Sequence, residues 1–225
     1  MKIAISAAET SGDIIASSLV KSLLEYQPDC QIEGLAGDKM SDAGCQRLWH
    51  IDQANVMGLS EVVNKLPSLL RLRNSIVKYF SENKPDVFIG VDSPDFNMFF
   101  HKNLNRIGIK TVQVVSPSVW GWRENRIKAI SKNIDLTMCL FQFEHNFYLQ
   151  KEMKSFFLGH PFSNLQPSIP TSVLAKYQLN HSKDFVCILP GSRKSEILHM
   201  MPIFIQAAER IFASNPNAFF LIPAA

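Results

Sequence analysis

Three short apolar runs in this chain each stop abruptly in a cluster of polar residues. Asp86-Val87-Phe88-Ile89-Gly90 leads into Val91-Asp92-Ser93-Pro94-Asp95-Phe96-Asn97. The run from Lys2 to Ala7 is followed by Glu9-Thr10-Ser11-Gly12-Asp13, and Thr111 to Val115 by Ser116-Pro117-Ser118-Val119-Trp120-Gly121-Trp122-Arg123. Runs of Val, Ile and Phe bounded by proline read as buried strands. In an open parallel sheet, ligands bind in the crevice outside the carboxyl ends of the strands. Three strand ends delivering polar groups to one sheet edge therefore predict an α/β fold with an active site at that edge.

The rest of the chain keeps the same rhythm. Strands are predicted at Ile3–Ala7, Ile32–Ala36, Asp86–Val91, Thr111–Val115, Leu136–Leu140 and Ser155–Leu158. Helical patterns run near Gly12–Tyr26, Phe96–Arg106, Arg123–Lys132 and Phe143–Gln150. Alternation of this kind argues for a parallel sheet covered on both faces. Apolar residues are 46% and charged residues 19%, as in a packed globular protein.

Between Gly159 and Ser172 the composition shifts to proline, serine and threonine, which is linker chemistry. The expected organisation is a Rossmann-like domain over residues 1–165, a linker over 166–183, and a second α/β pattern over 184–225. That pattern reads as strand Asp184–Leu189, loop Pro190-Gly191-Ser192-Arg193, helix Glu196–Phe212 and strand Ala218–Ile222. One such unit of roughly 50 residues is too small to bury a sheet on both faces, so an incomplete second domain is expected.

Net charge is only +3, which implies no strong pull toward nucleic acid. The opening residues read as a strand and not as a targeting leader. No apolar stretch approaches the ~20 residues of a membrane span, so membrane contact is expected to be peripheral. Cys30, Cys45, Cys139 and Cys187 lack metal-ligand spacing and read as buried free thiols of a reducing compartment. No metal ligand cluster is visible and no cofactor is implied.

Eight landmarks in register resemble the lipid-A-disaccharide synthase family. They are Glu9-Thr10-Ser11-Gly12-Asp13, Val56-Met57-Gly58, Lys84-Pro85-Asp86-Val87, Asp92 to Asn97, Val115-Ser116-Pro117-Ser118-Val119-Trp120, Trp122-Arg123, Leu158-Gly159-His160 and Leu189-Pro190-Gly191-Ser192-Arg193. Ala8, Gly121 and Asn164 depart from the family's usual Gly, Ala and Asp. The resemblance implies a GT-B architecture of two Rossmann-like domains, with the nucleotide held largely by the second. It implies inverting transfer of 2,3-diacylglucosamine from its UDP conjugate to 2,3-diacylglucosamine 1-phosphate, forming a β-1,6 disaccharide. It also implies a cytoplasmic protein peripheral on the inner membrane, and it allows a homodimer.

A single displacement of this kind needs a base for the attacking hydroxyl. The resemblance favours Asp92, and Asp95 then reads as the N-cap of the following helix. The turn from Glu9 to Asp13 either faces the acceptor, through Glu9, Ser11 and Asp13, or is capped by Ser11 with Asp13 in the first turn. Asn97 is a further candidate substrate contact. Trp120 and Arg123 either stack on sugar or lipid or anchor their loop to the sheet. His160 either orients a phosphate or bonds a backbone carbonyl. Ser192 and Arg193 suit a diphosphate leaving group, against a plain salt bridge to Glu196.

From Ser60 to Phe80, apolar residues are interleaved with Lys65, Arg71, Arg73 and Lys78. Such a helix either lies in a membrane interface, with Val62, Val63, Leu66, Leu69 and Leu70 as the contact, or turns an apolar face to the core. Two other function classes stay open. A non-catalytic nucleotide- or lipid-binding module would form no product from donor and acceptor. A hydrolase would need a nucleophile elbow, which Ser11 lacks.

Overall fold

The computed structural model describes residues 1–54, 59–121, 124–166, 170–179, 182–191 and 194–223. Side chains are described at these positions except 59–65, 124, 164, 170, 171 and 194. The chain forms two compact units, one carrying Met1–Val56 and Val62–Asn164, the other Met57–Glu61 and Leu165–Ala225.

In the first unit the strands are β1 (Lys2–Ala7), β2 (Gln31–Ala36), β3 (Gln46–His50), β4 (Val87–Val91), β5 (Lys110–Val114), β6 (Leu136–Cys139) and β7 (Ser155–Phe157). Between them lie α1 (Thr10–Tyr26), α2 (Asp38–Asp42), α3 (Leu59–Glu82), α4 (Pro94–Asn105), α5 (Ile127–Asn133) and α6 (Gln142–Gln150). All seven strands are parallel, in the order β3-β2-β1-β4-β5-β6-β7. The chain winds outward from β1 to β3, then returns to the other side of β1 as β4. The gap between β1 and β4 is therefore the topological switch point, where the connections leave in opposite directions and open a crevice.

Alternate residues of a strand point to opposite faces, and both faces here are buried. Ile3, Ile5, Ala7, Ile89, Val91 and Val114 pack with Ala16, Val20 and Met40 on the α1 side. Ala4, Leu35 and Phe88 pack with Ile76 and Phe80 of α3 and with Phe96, Phe100 and Leu104 of α4. Phe80, Phe88 and Phe100 are fully buried, each contributing roughly 1.5–3 kcal/mol by burial alone.

The structure adds two elements. β3 has no apolar run, because as an edge strand it keeps its first residues, Gln46 and Arg47, exposed. α2 is only five residues long. The strand expected through Val115 stops at Val114, because Val115 turns left-handed at φ 69°.

In the second unit, the stretch read as a linker carries α7 (Pro170–Lys176). β8 (Asp184–Cys187) and β9 (Ala218–Leu221) form a parallel two-stranded sheet, connected through α8 (Lys194–Ser214). Cys30, Cys45 and Cys139 are buried thiols, with burial pushing Cys45 and Cys139 up to about 12. Cys187, expected to be buried, is exposed on this small sheet. No described helix is long and apolar enough to cross a membrane.

Candidate active site

The turns after β1 and β4 face each other across the switch point and are tied by two crossing hydrogen bonds. The Ser11 hydroxyl donates to Oδ2 of Asp92 at 2.7 Å. The Ser93 hydroxyl donates to Oε1 of Glu9 at 3.1 Å. Gly12 makes this approach possible, since a Cβ there would lie 3.2 Å from both Asp92 Cβ and the Val91 carbonyl oxygen. Asp92 is half-buried, and among the described residues its Oδ1 has no hydrogen-bond partner.

The backbone at this turn is strained. Asp92 and Ser93 both sit left-handed, at φ 54° and 37°. Each such residue costs on the order of 1–3 kcal/mol and persists only where its surroundings hold it. The holding contacts are explicit. The Asp92 N–H donates to the Val114 carbonyl at 2.9 Å. The Asp92 carbonyl accepts from Asn97 Nδ2 at 2.8 Å and Gln113 Nε2 at 3.1 Å.

Several expected roles change. Ser11 does not cap α1, whose N-cap position is held by Glu9 without a side-chain bond to the helix's own N–H groups; the Ser11 hydroxyl goes to Asp92 instead. Asp13 is buried, and its carboxylate accepts from the backbone N–H groups of Gly37, Lys39 and Met40 at 2.8, 3.0 and 3.2 Å. It caps α2 from a distance and is not open to substrate. Asn97 is fully buried beneath the Asp92 turn and supports it rather than facing the crevice. Asp95 is not the α4 N-cap: Ser93 holds that place with Pro94 after it, and Asp95 in the first turn pairs with Arg126.

Trp120 heads a row of half-exposed aromatic rings. Its ring centroid lies 4.8 Å from that of Phe143, which lies 5.8 Å from Phe141. Phe141 is 5.9 Å from His160, and His160 is 5.0 Å from Phe162. The Glu144 carboxyl is pushed up chiefly by burial, partly countered by the Trp120 indole beside it. Trp120 is still 47% exposed. His160 Nδ1 accepts from the Phe162 backbone N–H at 3.2 Å. Phe141, Phe143 and Phe162 were not singled out from the sequence. The alternation of Phe141 and Phe143 just past β6 was the available signal.

Along α3, Leu66 and Leu70 are 47% and 44% exposed, one helical turn apart. Leu69 instead packs inward on the α3–α4 core, so it leaves the proposed contact face. The side chains of Val62 and Val63 lie outside the described residues, as do Arg123, Ser192 and Arg193. Among the described residues no cluster of His, Cys, Asp or Glu has the makings of a metal site.

Known proteins share this sequence and architecture. A family model described as lipid-A-disaccharide synthetase matches residues 3–225. A lipid-A-disaccharide synthase from Saccharophagus degradans is 40% identical over 228 residues, covering 100% of this chain and 59% of its own length. One from Pseudoalteromonas translucida is 42% identical over 225 residues, covering 99% of this chain and 58% of its own length. The chain therefore spans less than two thirds of either relative. Among solved structures, UDP-GlcNAc 2-epimerase from Neisseria meningitidis, bound to UDP-GlcNAc, has a TM-score of 0.67 at 11% identity, over 100% of this chain and 66% of that one. A glycosyltransferase from Rickettsia africae has a TM-score of 0.55 at 10% identity, over 100% and 68%. These distant likenesses carry the fold alone, an α/β architecture of the GT-B type. With a family match over residues 3–225 and identities of 40% and 42% along its length, the chain belongs to the lipid-A-disaccharide synthase family.

Proposed function

We propose that this sequence supplies the acceptor side and the base of an inverting lipid-A-disaccharide synthase. The observation that carries the reading is the Asp92 carboxylate at the switch point, one oxygen held by Ser11 and the other unpartnered among the described residues. The reaction joins the 6-hydroxyl of 2,3-diacylglucosamine 1-phosphate to the anomeric carbon of UDP-2,3-diacylglucosamine. The hydroxyl oxygen forms the new C–O bond as Asp92 Oδ1 takes its proton. The bond to the diphosphate breaks on the opposite face, and UDP leaves with the electron pair. Displacement from that face inverts the anomeric centre and yields the β-1,6 linkage.

Ser192 and Arg193 are assigned to the leaving diphosphate, where a guanidinium offsets developing charge. Arg123 and the aromatic row from Trp120 to Phe162 flank the acceptor. Glu9 bonds a sugar hydroxyl while holding Ser93. Leu66 and Leu70, with Val62 and Val63, rest on the cytoplasmic face of the inner membrane, where diacylated substrates reside. These roles are supported by the family match and by the exposure of the residues that are described.

The test is Asp92→Asn in the full-length gene product, assayed with labelled donor and acceptor. Turnover should fall by about 10²-fold or more, the scale of a lost general base, with UDP-sugar binding retained. Near-wild-type turnover assigns the base elsewhere.

A further inference from the structure

A polar layer lies one or two residues beneath the strand ends, where a buried core would otherwise be apolar. Ser6, Gly90, Gln113 and Thr137 are in register across β1, β4, β5 and β6 and so share one sheet face. Asn97 and His101, four residues apart on α4, pack down onto that face. All five side chains are buried, with His101, Asn97 and Gln113 at zero exposure. Gly90 provides the room: a Cβ there would lie 2.9 Å from Asn97 Cβ, Gln113 Oε1 and His101 Nε2 alike.

The layer has a direction. Gln113 Nε2 donates to the carbonyls of Asp92, Val114 and Val115 at 3.1, 3.0 and 3.2 Å. Three acceptors around that nitrogen fix the flip of the amide, so Oε1 points the other way. There it meets His101 Nε2 at 2.8 Å. An amide oxygen only accepts, so His101 carries its proton on Nε2. Among the described residues Nδ1 has no hydrogen-bond partner, and burial keeps the ring neutral, its pKa pushed down to about 4. The carbonyls held by Gln113 include those of two left-handed residues, Asp92 and Val115. Val115 is β-branched, which makes that conformation costlier still.

We propose that His101 and Gln113 are positioning residues for the Asp92 carboxylate. The imidazole N–H braces the Gln113 amide from behind through its oxygen, and the amide clamps the ends of β4 and β5 in the conformation that aims Asp92 at the crevice. This rests on the reading of Asp92 as the base. The two residues touch no substrate and act only through the backbone of the turn.

The test has two arms. In the first, Asp92, Ser93 and Val115 backbone chemical shifts are measured by NMR on this chain for wild type, Gln113→Met, His101→Leu and His101→Gln. Gln113→Met and His101→Leu should move all three residues away from left-handed values. His101→Gln, which keeps an N–H near the Nε2 position, should restore them. Unchanged shifts in both Gln113→Met and His101→Leu overturn the proposal, and either variant suffices if the other fails to fold.

The second arm is steady-state kinetics on the full-length gene product. Gln113→Met should lower kcat by roughly 10- to 100-fold, the scale of a misplaced catalytic group, with both KM values within about threefold. In an Asp92→Asn background it should cause no further loss. An equal loss in that background overturns the proposal. If Asp92→Asn alone keeps wild-type turnover, the base assignment falls instead, and the NMR arm decides the positioning role by itself.

Discussion

Ser11 and Asp92 are 81 residues apart in the chain and 2.7 Å apart in the fold, with the hydroxyl donating to one carboxylate oxygen. This bond holds one carboxylate oxygen against α1 and, among the described residues, leaves the other without a hydrogen-bond partner. Ser11→Ala should therefore keep the fold and lower kcat by about 10-fold, since a hydrogen bond to a charged group is worth roughly 1.5–3 kcal/mol and only part of it orients the base. Acceptor and donor KM values should hold. Turnover equal to wild type would show that Asp92 is aimed by its backbone alone.

Asp13→Ala tests a structural role. The change strands three backbone N–H groups at the start of α2. The expected cost is about 3 kcal/mol, the scale of buried donors left unpaired. For a chain of this size that lowers Tm by roughly 6–12 °C. Asp13→Asn retains one accepting oxygen and should lose about half as much. Calorimetry on the three proteins checks the order.

His101 gives stability a defined pH dependence. Its pKa is about 4 in the fold because burial opposes the charged form, partly countered by Gln113 and Asp135. An unfolded histidine titrates near 6.5. Between these values the unfolded chain binds the proton that the folded chain refuses, so stability falls as pH drops from about 6.5 toward 4. The full loss is about 3 kcal/mol, and this group contributes no slope above that window. Urea midpoints of wild type and His101→Gln, measured from pH 7 to pH 4, should diverge across that window. Parallel curves would mean His101 titrates normally.

Leu66→Glu combined with Leu70→Glu should cut binding to anionic phospholipid vesicles by at least about 10-fold, because two exposed apolar side chains no longer enter the interface. Fold stability should change little, since both residues face outward. Leu69→Glu should do the reverse, destabilising the α3–α4 core. Vesicle sedimentation that is unchanged in the double variant would remove α3 as the membrane contact.

The strands that carry the site were legible because each combines an apolar run with an abrupt polar end. The pairing of their turns was not. Glu9 bonding Ser93, and Ser11 bonding Asp92, depend on β4 lying beside β1, a matter of sheet order that no local pattern encodes. Asp13 lies in the first turn of α1, as one of its two readings had it, but its partners were hidden for a related reason: they are backbone amides at the start of α2, a five-residue helix with no pattern of its own. Asn97 sits in a cluster of polar residues at a strand end, and only the packing of α4 shows that it turns inward. The aromatic row is assembled from the loop before α5, the start of α6 and the segment after β7, so no single stretch announces it.

The return of β4 to the side of β1 has a kinetic consequence. A chain that has paired β1 with β2 and β3 presents the Glu9–Asp13 turn with nothing opposite it. Closing β4 against β1 joins segments 81 residues apart at the site, and such long-range pairings come slowly because loop entropy is lost before contacts form. The two crossing bonds, Ser11 to Asp92 and Ser93 to Glu9, are therefore properties of the finished sheet. A half-folded chain holds the two turns apart, each without its partner.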